Sequence, residues 1–326
     1  MLGLLKKYTS PFKLNRAGIM GMNRRNISYI GRYNQRRLFP LVDNKLKTKH
    51  LAQQSGATVP ELIGVINEQH SVPSIHKMVE NWPGFVIKPA QGSGGKGILV
   101  VTSNKDGVYK KPSGAEVNKS EVERHITNTL AGLFSLGGKN DVAVVENLIQ
   151  FDDVFEGFSF EGVPDIRVIV FKGYPVMAMM RLSTSASDGK ANLHQGAVGV
   201  GIDIATGDAV RAVQFNRPIE RHPDTGRLLS ELKVPHWEQL LVLAASAWEM
   251  TGLGYIGTDM VLDKEKGPMV LELNARPGLA IQIANGCGLL PRLRHIEHLG
   301  TSATPLTPEQ RVNYARAHFG DTPQHK

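Results

Sequence analysis

Seven residues, Gln91-Gly92-Ser93-Gly94-Gly95-Lys96-Gly97, constrain this chain more than any other stretch. Gly92, Gly94 and Gly97 formally satisfy G-x-G-x-x-G, but a dinucleotide-binding turn of that pattern must lead into a helix. Here the glycines lead into Ile98-Leu99-Val100-Val101-Thr102, a β-branched run that reads as a strand. Phe85-Val86-Ile87-Lys88 reads as a strand ahead of them, ended by Pro89. The Walker A spacing is also absent. What remains is a long hairpin loop whose backbone N–H groups can fold over phosphate oxygens without side-chain obstruction. A plain surface hairpin is the competing reading. Lys88, just ahead of the loop and placed to neutralise phosphate, favours a nucleoside triphosphate.

A second hairpin carries carboxylates. Thr258 to Asp263 and Pro268 to Asn274 read as two antiparallel strands around the turn Lys264-Glu265-Lys266-Gly267. If Asp263 pairs with Pro268, Asp259 falls opposite Glu272, and period two puts Asn274 on the same face as Glu272. Like charges directly across a sheet destabilise it unless something neutralises them. An Asp, Glu and Asn trio is an all-oxygen set suited to a hard cation such as Mg²⁺. The alternative is a half-exposed hairpin with ordinary polar residues outward.

Charge is distributed unevenly. Residues 1–50 hold twelve Lys or Arg and one acid, Asp43, whereas the remainder holds 26 basic and 29 acidic residues. The net +8 therefore resides in the N-terminal segment. Arg24, Arg25, Arg32, Arg36 and Arg37, interleaved with Tyr29, Tyr33 and Phe39, form a basic patch fit for an anionic substrate, a membrane surface or a solvated helix face. No nucleic-acid motif accompanies it, so no specific nucleic acid is expected. The single cysteine, Cys287, cannot form an internal disulfide, and no window approaches the ~18 consecutive apolar residues of a membrane span. With no signal peptide legible in Met1 to Lys13, a cytoplasmic location is expected.

Asp43-Asn44-Lys45 opens a helix that Gly56 and Pro60 stop. Ser120 with Glu123 reads as a capping box for a helix to about Phe134. Val142 to Val145, Ile166 to Phe171 and Pro175 to Leu182 read as strands, followed by a polar loop at 183–197 and a helix from about Pro235 to Gly252. Strands and helices mix without regular βαβ alternation, so α+β packing is expected. The stretch beyond Gly300 is Pro/Thr-rich and then weakly helical.

These residues in this order resemble the ATP-grasp superfamily, over about Lys45 to Ile283. The resemblance implies two α+β subdomains gripping ATP, at 43–148 with the glycine loop and 149–300 with the metal site. A short, atypical basic segment at 1–42 precedes them and a C-terminal tail at 301–326 follows. Lys45 and Lys88 correspond to the two nucleotide lysines, and Gly92, Ser93, Gly94, Gly95, Lys96 and Gly97 to the mobile phosphate-covering loop. Glu146, Asn147, Leu148 and Ile149 resemble the adenine-binding hinge. Asp153 falls where an acid meets the ribose hydroxyls, with Asp152 as the alternative. Asp259, Glu272 and Asn274 match the metal ligands.

Within the superfamily the chain is most similar to glutamate ligases that modify a ribosomal protein, and to alpha-L-glutamate ligase-like proteins. Asp165-Ile166-Arg167, Asn192-Leu193-His194-Gln195-Gly196 and Leu273-Asn274-Ala275-Arg276-Pro277-Gly278 carry this. Two features depart from the pattern. Such ligases carry a full α/β domain ahead of the first lysine, where this sequence has about forty basic-segment residues. D-alanine ligases have an arginine two residues before the first metal aspartate, where this chain has Gly257. Arg167, Arg181 or Arg276 must then supply that charge.

The resemblance implies an ADP-forming carboxylate–amine ligase acting through an acylphosphate. It would add an amino acid such as glutamate to a peptide or small acid, with ATP and Mg²⁺ (two ions, Mn²⁺ as an alternative). Arg167, Arg181, Asn192, His194 and Arg276 are the expected catalytic set. His194 alone in a polar loop also fits a simple surface histidine. Two other functions compete: an ATP-grasp kinase acting on an anionic substrate, and a nucleotide-regulated binding protein at a membrane or acidic partner. A homo-oligomer is compatible with any of them.

Overall fold

The computed structural model describes residues 9–92, 94–105, 107–135, 137–299 and 306–320. Ser93 lies outside the described residues. Fourteen strands form in chain order: β1 (Leu62–Ile66), β2 (Phe85–Pro89), β3 (Leu99–Val101), β4 (Ser103–Lys105), β5 (Val108–Lys110), β6 (Glu116–Val117), β7 (Ala143–Asn147), β8 (Asp165–Phe171), β9 (Tyr174–Leu182), β10 (Val198–Ile202), β11 (Ala209–Gln214), β12 (Arg217–Ile219), β13 (Tyr255–Asp263) and β14 (Gly267–Asn274).

A four-stranded sheet has the order β1-β7-β2-β3, and a seven-stranded sheet the order β12-β11-β10-β9-β8-β13-β14. Every described pairing in both is antiparallel. Strands β4-β5-β6 make a small third sheet. No parallel pair exists among them, which fits the expected α+β class.

Each main sheet has its own core. Phe85, Ile87, Val101 and Val145 pack with Val122 and Ile126 of helix Lys119–Leu130. That helix is capped by Asn118 with Glu121 reaching back, two residues earlier than the Ser120–Glu123 box expected from sequence, and it ends at Leu130 rather than near Phe134. Asn118 offers the same carboxamide-to-N3 bond that a serine hydroxyl would, and it comes first along the chain. On the large sheet, Leu240, Leu241 and Ala244 of helix Trp237–Ala245 are wholly buried. Each buried leucine stabilises the fold by about 2 kcal/mol.

Described segments near both ends of the chain, residues 20–34 and 308–319, join this core. Met20, Tyr29 and Ile30 are buried in it. Tyr33 packs edge-on against Phe171 with ring centroids 4.9 Å apart. Asn34 is buried and ties itself to Tyr255, accepting from its N–H at 2.8 Å and donating to its carbonyl at 2.7 Å. Beyond residue 306, helix Pro308–Phe319 buries Arg311, Val312, Ala315 and Phe319. Arg311 donates to the Gly173 carbonyl at 3.0 Å and to Glu249 at 2.5 Å. The sequence suggested a weakly helical tail there. The structure has a capped three-turn helix whose apolar side chains close the large core.

Candidate active site

The β13–β14 hairpin sets one wall of the site. Asp263 pairs with Gly267, not with Pro268, and the register then shifts at a β-bulge between Asp259/Met260 so that Asp259 still faces Glu272. Leu271 is the extra residue; in an unbulged ladder Asp259 would face it instead of Glu272. Asp259 is buried, held by Arg167 through Nε at 2.6 Å and through Nη2, with Arg181 Nη2 at 3.0 Å. Arg181 also grips Asp165 at 2.5 and 2.6 Å. Strands β8, β9 and β13 deliver these four charges, with Asp259 registered on Arg167 and Asp165 on Arg181.

Burial opposes ionisation of both acids. At Asp259 the two guanidiniums outweigh burial and hold the carboxyl down at about 2. At Asp165 burial wins, and the adjacent Asp259 charge adds to it, so the carboxyl is pushed up to about 6. Arg167 and Arg181 each keep Nη1 without a hydrogen bond among the described residues.

The opposite wall is the small sheet. Asn44 caps helix Lys45–Gln54, accepting from Leu46 N–H at 3.0 Å and Lys47 N–H at 3.1 Å. The cap aims Lys45 at the glycine loop: Lys45 Nζ donates to the Gly92 carbonyl at 2.6 Å and stands 3.8 Å from Glu272 Oε1. One turn on, Lys49 is buried and pairs with Glu146 at 2.8 Å, while Lys88 pairs with the other oxygen of Glu146 at 2.5 Å. Lys88 and Glu146 are diagonal neighbours on one face, because Lys88 registers on Val144 and Val86 on Glu146. Burial raises the Glu146 carboxyl, but Lys88 and Lys49 together bring it below its ordinary value. Burial pushes the Lys49 ammonium down, and its one carboxylate only partly offsets this because Lys88 repels it. Two lysines on one carboxylate leave a net positive charge in a half-dry corner.

The glycine loop is fastened at both ends. Asp141 accepts from Gln91 N–H at 2.9 and 3.1 Å and from Ser135 Oγ at 2.6 Å. His125 Nε2 donates to the Gly97 carbonyl at 2.9 Å. Gly97 has φ +74°, and a Cβ there would lie 2.4 Å from the Phe134 ring, so only glycine fits. At the tip, a Cβ on Gly94 would lie 3.8 Å from Asn192 Nδ2, and one on Gly95 3.9 Å from Lys190 Cδ. The loop thus meets the polar 183–197 loop of the large sheet. Lys96 is exposed.

Other expected residues are placed as follows. Asn147, Leu148 and Ile149 end β7 half-buried, and Gln150 N–H then donates to Asp263 at 3.0 Å. Asp153 is exposed and pairs with Lys264 at 2.6 Å. Asn192 accepts from His194 N–H at 3.0 Å, and the His194 ring is exposed. Asn274 accepts from Arg276 N–H at 2.8 Å. Arg276 pairs with Asp43 at 2.9 Å and lies over the Phe39 ring. Sequence reasoning missed Lys49, although i,i+4 spacing from Lys45 was a signal, and Asp141, whose role has no local signature. A cavity of about 890 Å³ opens elsewhere, beside Ser55, Trp237 and Pro308, and contains none of these groups.

Among the described residues no group of three or more His, Cys, Asp or Glu is set to hold a metal ion. A cation at this site would depend on Asn274 and on phosphate oxygens as well as on carboxylates. The donors fit a hard ion. Asp259 makes three bonds, which leaves one of its roughly four lone-pair positions, on Oδ1, and Glu272 and Asn274 are part-exposed.

Two sheets closing on lysines, a glycine loop and paired carboxylates define an ATP-grasp fold. The chain belongs to the sugar-transfer associated ATP-grasp family, whose model matches residues 24–298. It is 24% identical over 244 residues to a probable alpha-L-glutamate ligase of Aeromonas salmonicida, covering 74% of this chain and 59% of the relative. A protein of the same description from Marinobacter nauticus is 27% identical with the same coverage. The chain therefore spans about three-fifths of the length of these relatives. D-alanyl-alanine synthetase A from Vibrio cholerae superposes with a TM-score of 0.45 at 12% identity, over 86% of this chain and 65% of that one.

Proposed function

We propose that this protein is an ATP-dependent, ADP-forming ligase that joins a carboxylate to an amine, adding an amino acid such as glutamate to a peptide or small acid. The observation that carries the reading is the surplus of positive charge around Glu146, where Lys49 and Lys88 share one carboxylate beside the glycine loop. A polyphosphate is the anion that such a corner, with a glycine-rich loop following Lys88, recognises best. The family and the glutamate-ligase names of its relatives support the same class.

In this reading ATP lies between the sheets, its adenine against Glu146 to Ile149 and its ribose near Asp153. Lys45, Lys88 and the loop 92–97 hold the phosphates. The substrate carboxylate attacks the γ-phosphorus, the bond to ADP breaks, and an acylphosphate forms. The amine then attacks the acyl carbon, gives up a proton, and phosphate leaves as the amide forms. Arg167 and Arg181, anchored by Asp259 and Asp165, turn their open Nη1 groups to charge developing on the transferred phosphoryl group. Asn192, near Gly94, and the neighbouring His194 cover the acceptor side. Bound by Glu272, Asn274 and Asp259 Oδ1, Mg²⁺ would neutralise phosphate oxygens. The test is product analysis: ADP and free phosphate released only when an acid and an amine are both present.

A further inference from the structure

The proposed reaction leaves the outer side of residues 9–37 unused. Helix Pro11–Arg16 buries none of its residues, and Phe12 stands 85% exposed. The helical run from Met22 to Tyr33 turns Tyr29 and Ile30 inward and leaves Met22 68% and Ile27 75% exposed. A helix of six residues has almost no stability of its own in water, so an unburied one is poised to bury its apolar side chains elsewhere.

Cations of the same segment also lack a carboxylate partner. Residues 9–42 contain seven Lys or Arg and no Asp or Glu. Lys13, Arg16, Arg24 and Arg36 pair with no carboxylate among the described residues. The inner side of the same segment is fixed, by Tyr33 Oη donating to Glu297 at 2.7 Å, by Arg25 donating to the Pro277 carbonyl at 2.9 Å, and by the Asn34–Tyr255 pair. The segment is thus anchored while three large apolar side chains stand exposed among cations.

We propose that this outer face docks on an anionic lipid bilayer, with Phe12, Met22 and Ile27 entering the headgroup boundary and the surrounding Lys and Arg meeting lipid phosphates. An anionic bilayer offers hydrocarbon and negative charge together, which matches exposed aliphatic and aromatic side chains set among cations. A nucleic-acid backbone would use the cations and leave the aliphatic residues wet. No helix among the described residues is long and apolar enough to cross a membrane, so the contact is interfacial.

Co-sedimentation of the full chain with phosphatidylcholine vesicles, with and without phosphatidylglycerol, tests this. The expected result is binding that needs phosphatidylglycerol and weakens with salt. Ile27→Glu and Phe12→Glu, at exposed positions that leave thermal unfolding unchanged, should abolish it, and Arg24→Gln should weaken it about fivefold. Equal sedimentation with both vesicles, none with either, or full binding by Ile27→Glu would overturn the proposal. A concentration-dependent dimer dissolved by Ile27→Glu would also overturn it, giving this face to a second copy. Vesicle binding is read without turnover and so stands or falls apart from the ligase reading.

Discussion

Asp259 faces Glu272 across the β13–β14 ladder because Leu271 bulges out of it. Two carboxylates in register repel, and the fold answers with Arg167 and Arg181 on one and Lys45, at 3.8 Å, near the other. The two acids are therefore not equivalent. Glu272→Ala removes a part-exposed pair worth at most about 1 kcal/mol, so the fold should hold while ATP turnover falls at least about a hundredfold. Asp259→Ala leaves two part-buried guanidiniums short of a partner and should cost about 2–4 kcal/mol. Thermal unfolding beside phosphate-release rates separates the two effects.

The Lys49–Glu146–Lys88 cluster predicts a similar split. Glu146→Gln leaves the buried Lys49 ammonium with neutral acceptors only, the Pro60 carbonyl among them, and should destabilise the fold by about 2–4 kcal/mol. Lys88→Met keeps the Lys49–Glu146 pair, so stability should change little, whereas nucleotide affinity should drop by roughly tenfold or more. Calorimetric titration with ADP and denaturant melts of both variants check this. Equal nucleotide affinity in Lys88→Met and the parent would remove Lys88 from the site.

Asp165 and Asp259 share Arg181, so the pair titrates in two steps, at about 2 and about 6. The upper step is a raised carboxyl. Its stabilising contribution is full below the unfolded value of about 3.9 and is lost as pH rises through 6. The lower step has the opposite sign: a depressed carboxyl stabilises above its unfolded value and loses that contribution as pH falls toward 2. Asp165→Asn should therefore flatten Tm against pH between about 4 and 6. Parallel curves for parent and variant would contradict the assignment.

Arg311 is almost wholly buried and bonds the Gly173 carbonyl, the Leu306 carbonyl and Glu249, with its guanidinium 5.1 Å from the Trp248 ring centroid. It staples helix Pro308–Phe319 to the β8–β9 turn. Arg311→Ala should cost about 2–4 kcal/mol, because two carbonyls lose their donor and the helix loses its anchor. A melt within experimental scatter of the parent would count against the staple.

The parts of the fold and site legible in the sequence are those set by local chemistry. Asn44 caps the Lys45 helix, the glycine cluster joins β2 to β3, and the turn folds the carboxylate strands into a hairpin with Asp259 opposite Glu272, although a bulge rather than the expected register brings them there. The turn itself was off by one residue, since no local feature marks Leu271 as bulged. Contacts between distant segments were not legible. Tyr29 and Asn34 enter the core only because Phe171 and Tyr255 wait there, and Arg311 turns a polar tail into a packed helix only through Gly173 and Glu249. Lys49 reads as an ordinary helix lysine until β7 brings Glu146 beside it.

The most direct test incubates the chain with Mg²⁺-ATP, pooled amino acids and short acidic peptides, quantifying ADP and phosphate and searching products by mass. The expected result is ADP with stoichiometric free phosphate, dependent on both an acid and an amine, and a product heavier by one amino-acid residue, all lost in Glu272→Ala. ADP accompanied by a stable phosphorylated product and no amide would contradict the ligase reading and make the protein a kinase.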